Sequence, residues 1–146
     1  MTQTTCDVVG RVQASRMWSP HAYAARFGVV VEYRRQPEPG LWWPDIGQIT
    51  LRRGMTAAHE RSVLAHELGH HHYRDPGSSG RAEARADRWA ARHLLTPESV
   101  AGVARVYPDH PEKWCAELLV TPHLLRVWMS IRSNYSRAEA IWRALT

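Results

Sequence analysis

The chain is short of nearly everything that would staple or anchor it. It has two cysteines, Cys6 and Cys115, far apart and outside any C-x-x-C spacing. This argues against a disulfide framework and a cysteine-ligated metal, leaving two unpaired thiols as the expectation. Cys115 falls on an apolar helical stripe, where small buried cysteines are common. No stretch approaches the roughly 20 apolar residues that a membrane span needs. Residues 1–10 carry no basic segment followed by an apolar run, so a secretory leader is not expected and a cytoplasmic location is. Lysine is nearly missing: the net charge of +5 rests on arginine, and Lys113 is the only lysine. Those arginines are scattered from Arg11 to Arg143 rather than clustered, a weak footprint for nucleic acid.

What is present suits one globular domain of 146 residues, with 44% hydrophobic and 23% charged side chains. Within it, residues 1–35 are expected to supply an N-terminal helix and strand, 41–97 a central core and 98–146 C-terminal helices. Ser19-Pro20, Thr96-Pro97 and Thr121-Pro122 each place a capping hydroxyl before a proline, and each predicts a helix start. The first helix runs over about Pro20 to Phe27 and stops at Gly28. Val29 to Tyr33 predicts a strand, and Ile46 to Leu51 a second, partly exposed one. Gln36 to Pro44, with three prolines and a glycine, predicts a loop. Thr56 caps a long helix over about Ala57 to Tyr73, and another covers about Arg81 to Leu95. Asp109 with Glu112, and Ser136 with Glu139, read as capping boxes for later helices. The order is helix, two or three strands, then helices: an α+β chain with a small N-terminal sheet, antiparallel or mixed, against the long helix.

That helix contains His66-Glu67-Leu68-Gly69-His70, an H-E-x-x-H segment. At about 3.6 residues per turn, His66 and His70 lie one above the other and can share a metal ion. Neutral imidazole suits Zn²⁺. Glu67 projects toward the same side, where it can hold an attacking water. A catalytic zinc needs a third protein ligand, and the next helix offers Glu83 and Asp87 on the stripe that continues through Ala90 and Leu94. Arg81, Arg85, Arg88 and Arg92 take the opposite face. A buried carboxylate pair is costly unless paired or metal-bound. Glu83 therefore reads as a ligand, and Asp87 as acceptor for the outer nitrogen of a ligand histidine. The alternative for both is an internal salt bridge to arginine.

His66-Glu67-Leu68-Gly69-His70, followed by Glu83-Ala84-Arg85-Ala86-Asp87-Arg88-Trp89-Ala90-Ala91-Arg92-His93-Leu94-Leu95-Thr96-Pro97, resembles the ImmA/IrrE family of metallopeptidases. The similarity runs from about Ile46 to Pro97; Trp89 stands where the family has Phe, and Thr96 where Met is common. It implies a zincin fold with a glutamate ligand, one zinc per chain, and an edge strand above the zinc helix. Gly47 to Leu51 looks like that edge, so Gln48, Ile49 and Thr50 become candidate peptide-binding residues. It also implies a protein substrate, such as a transcriptional repressor in a mobile-element or stress switch.

The family pattern does not explain His71 and His72. His71 can contact substrate or sit at the surface; His72 falls toward the Leu64–Leu68 side. His59, two turns before His66, can reach the mouth of a groove. Glu112 to Leu119 and Pro122 to Ser133 predict two helices joined at Val120-Thr121. They resemble the family's C-terminal helices and also a helix-turn-helix; packing on the core is favoured over DNA contact. Three functions compete: a peptidase with Glu67 as base, a zinc-dependent partner-binding protein that does not cut, and a basic DNA-binding protein.

Overall fold

The computed structural model describes residues 17–145; Cys6 and residues 1–10, on which two expectations rest, lie outside them. Helix α1 (Pro20–Arg26) leads into β1 (Val30–Arg34), β2 (Gly40–Trp43) and β3 (Gln48–Arg52). Helices α2 (Ala57–Tyr73), α3 (Gly80–Leu94) and α4 (Pro97–Val106) follow. A 3₁₀ turn (Pro111–Lys113), α5 (Trp114–Leu118), α6 (Pro122–Ser130) and α7 (Arg132–Leu145) complete the described chain. The arrangement is α+β, with one mixed three-stranded sheet. Among the described residues no helix is long and apolar enough to cross a membrane.

The helix starts follow the expected chemistry. Ser19, Thr56, Thr96 and Thr121 each accept a backbone N–H at the first turn of their helix. Two expected capping boxes are not formed. Glu112 lies in the 3₁₀ turn, which has no side-chain cap, and Ser136 lies inside α7, which begins four residues earlier at Arg132.

The sheet corrects the sequence reading in two places. Gly40–Trp43, expected as loop, is β2; its flanking Pro39 and Pro44 hide a strand, yet proline is tolerated beside an edge strand. The strand order is β1-β3-β2, with β1 parallel and β2 antiparallel to β3. The strand expected at the edge is therefore the middle one. Ile49, Thr50 and Leu51 are fully buried, so Ile49 and Thr50 are core residues with both neighbouring strands in place, and Gln48 pairs with Val30 and Trp43.

Ile49 and Leu51 pack with Leu64 and Leu68 of α2 and Trp89 of α3 in one apolar cluster. A second cluster joins Ala65, Ala90 and Leu94 to Val120, Leu124 and Trp128. The C-terminal helices thus pack on the α2–α3 pair, as favoured. Helices α2 and α3 meet closely at Gly69. A Cβ there would lie 3.0 Å from both the Cα and the carbonyl oxygen of Ala86, so glycine sets how near the two helices approach.

Candidate metal centre

The α2–α3 contact brings the predicted ligand set together. His66 and His70 face each other with their Nε2 atoms 3.2 Å apart. Glu83 reaches across from α3, its Oε2 lying 2.9 Å from His66 Nε2 and its Oε1 2.9 Å from His70 Nε2. One ligand atom from each residue falls within 4.8 Å of the others, and the group can hold a metal ion. With Zn–N and Zn–O distances of about 2.0–2.2 Å, tetrahedral ligands stand roughly 3.3–3.5 Å apart, close to the spacing here.

The outer nitrogens fix which atoms point inward. His66 Nδ1 lies 2.7 Å from Asp87 Oδ1, and His70 Nδ1 lies 2.9 Å from Asp75 Oδ2. A carboxylate accepts, so each Nδ1 carries a proton, and the neutral form of either ring turns its lone pair inward at Nε2. In that form two imidazole lone pairs and the Glu83 carboxylate would converge on one point. Such a set is satisfied by a cation, and the residues fit one.

Asp87 takes the predicted role toward His66. Asp75 does the same for His70, and the sequence reading missed it. Helix α2 ends with Arg74 in the left-handed conformation, φ 55°, which folds the chain back so that the Asp75 amide donates to the His70 carbonyl. Asp75 is buried and also paired with Arg85. Arg85, assigned to the solvent face by its spacing, is thus drawn into the site's support. A carboxylate just beyond a ligand-bearing helix was the available signal.

Burial pushes the Asp75 carboxyl up, but the hydrogen bonds and charges of His70 and Arg85 outweigh it and hold its pKa below the ordinary value. Asp87 is held low in the same way, by His66 and His123 against desolvation. For Glu83, burial is outweighed by the Ser78 hydroxyl and the two histidines, and its pKa falls. Desolvation lowers His66, yet the Asp87 hydrogen bond and the surrounding carboxylates leave it above its usual value.

Glu67 is buried on the same face of α2. Burial raises its pKa despite the nearby histidines, and the Trp42 amide donates to it. A buried carboxylate whose pKa is raised can serve as a proton acceptor nearer neutral pH than an ordinary one. The backbone of β2 passes directly over it: a Cβ on Gly40 would sit 2.5 Å from Val63 Cγ1 and 3.0 Å from Glu67 Cγ.

Two depressions share Gly40, Glu67 and Glu83. One, of about 250 Å³, runs past Trp42, His70 and Asp75. The other, of about 470 Å³, runs past His59, His66, Asp87 and His123. His59 therefore does lie along a groove. His71 stands edge-on to Trp42 at 5.2 Å between ring centroids, and exposed His72 stacks on Trp89. No protein-family model matches the chain, and neither a curated protein nor a solved structure matches it.

Proposed function

We propose that the chain is a zinc-dependent peptidase of zincin type, in which His66, His70 and Glu83 hold one zinc ion and Glu67 is the general base. The observation that carries the reading is the convergence of the His66 and His70 Nε2 atoms and the Glu83 carboxylate beside the buried Glu67. The resemblance to ImmA/IrrE metallopeptidases supports it and points to a protein substrate, with a helix-turn-helix transcriptional repressor the first to try.

Zinc bound in such a site supplies Lewis acidity and makes water acidic enough to attack near neutral pH. Glu67 takes the proton from the attacking water and passes it to the amine that leaves as the peptide bond breaks. Asp87 and Asp75 fix the tautomer and the orientation of the imidazoles. The substrate strand belongs on β2. Arg52 N–H donates to Pro39 C=O at 2.9 Å, and the antiparallel register turns the main-chain groups of Leu41 and Trp43 toward β3. Those of Gly40 and Trp42 consequently face away from β3, along the groove; the Trp42 N–H is taken by Glu67, which leaves the Gly40 groups and the Trp42 carbonyl for an extended peptide to add through its backbone.

Elemental mass spectrometry on protein purified without chelator tests the metal: near-stoichiometric zinc in the wild type and little in Glu83→Ala is expected. Glu67→Gln should keep the zinc and lose hydrolysis of a co-expressed repressor. Hydrolysis retained in Glu67→Gln would sink the base assignment. A wild type that takes up no added zinc would sink the metal centre.

A further inference from the structure

His123 stands first in α6 after Pro122, yet it reaches the metal centre: its Nε2 lies 2.8 Å from Asp87 Oδ2. Asp87 therefore spends one oxygen on His66 and the other on His123. We infer that His123 is a positioning residue for the metal centre, holding the Asp87 carboxylate in the plane that steers His66. The inference rests on His66 being a ligand.

The carboxylate needs such a second hold. The terminal torsion of aspartate is broad and roughly two-fold, so one hydrogen bond to His66 leaves the group free to rock. An exposed polar contact is ordinarily worth little, because ordering a side chain offsets most of its gain. His123 is indeed 61% exposed. Its backbone, however, is fixed before the ring makes any contact. Arg61 of α2 donates to the carbonyl oxygens of Leu118 and Leu119 at 3.1 Å each, and to that of Trp18 at 3.0 Å. Ser62 Oγ accepts the Thr121 amide at 3.0 Å, and Thr121 caps α6. Val120 and Leu124 on either side are buried. The zinc helix thus grips the turn before α6, and that turn presents His123 to Asp87 at little remaining entropic cost. Through this route the C-terminal helices are coupled to how firmly His66 is aimed.

A merely structural link between α6 and α3 would alter folding and leave metal affinity alone. Zinc affinity by chelator competition separates the two, read beside thermal unfolding of the metal-free proteins. His123→Ala should bind zinc more weakly by up to about tenfold, the low end of losses seen for residues behind a ligand. His123→Gln, whose terminal amide can donate from nearly the same point, should restore most of it. Once Asp87→Ala is present, adding His123→Ala should cost nothing further. Wild-type affinity in His123→Ala, equal weakness in both variants, or losses that add to those of Asp87→Ala would each overturn the inference. A wild type that binds no zinc would instead overturn the reading beneath it.

Discussion

The two histidines of the centre lie one helical turn apart and donate to carboxylates in the same way, but their surroundings differ. His70 is 7% exposed and its partner Asp75 6%, with Arg85 closing the far side. That carboxylate comes from the loop immediately after the helix. His66 is 16% exposed and Asp87 20%. Its carboxylate comes from another helix and is shared with a third, through exposed His123. One half of the site is dry and local, the other wetter and assembled over long sequence distances. Charge interactions strengthen as water is excluded, so the inner half should be the stiffer one.

Glu83 touches both halves, and removing it should have the largest effect: Glu83→Ala loses metal whichever half is stronger, as counted by zinc per chain. Gly69→Ala comes next, because Ala86 backbone stands 3.0 Å from the added Cβ and α3 must move. Thermal denaturation should show a loss of about 1–3 kcal/mol, with weaker zinc binding because Glu83 and Asp87 retreat together. The comparison itself is tested by Asp75→Ala against Asp87→Ala. Chelator competition should place the first near the top and the second near the bottom of a loss of about 10–100-fold. Equal losses would mean that burial does not decide the matter.

The smallest effect is on pH. His66 in the metal-free protein should titrate above the ordinary histidine value of about 6.5, since Asp87 and its neighbours raise it against desolvation. Imidazole NMR should show that midpoint falling in Asp87→Ala. Because the folded value is raised, protonated His66 stabilises the metal-free fold fully below the unfolded pKa. That contribution is lost as pH rises through the folded value. Zinc makes the opposite demand, needing the neutral ring, so its binding strengthens over the same rise.

How much of this was legible in the sequence depended on the range of the interactions. Helix α2 was expected over Ala57 to Tyr73 and runs over those residues, because its cap and its i, i+4 histidines are local signals. Glu83 and Asp87 were found through the helical stripe they share. Asp75 was not, since its role depends on a left-handed Arg74 that no residue preference announces. Strand β2 was concealed by its prolines. The central place of β3 was concealed because β1 pairs with it across the whole of β2. Ser136 and Glu139 matched a capping pattern inside α7; the pattern permits a helix start and does not compel one. Gly69 was quoted only as part of a motif, and its reason, the close approach of Ala86, is a contact between helices.

The hydrogen bond from His123 spans 36 residues of chain to reach Asp87, and this gives the molecule a clock. At about 5–20 residues per second of translation, roughly two to seven seconds pass between the synthesis of Asp87 and that of His123. The ligand set is therefore made first, and the wall that completes the larger groove arrives afterward.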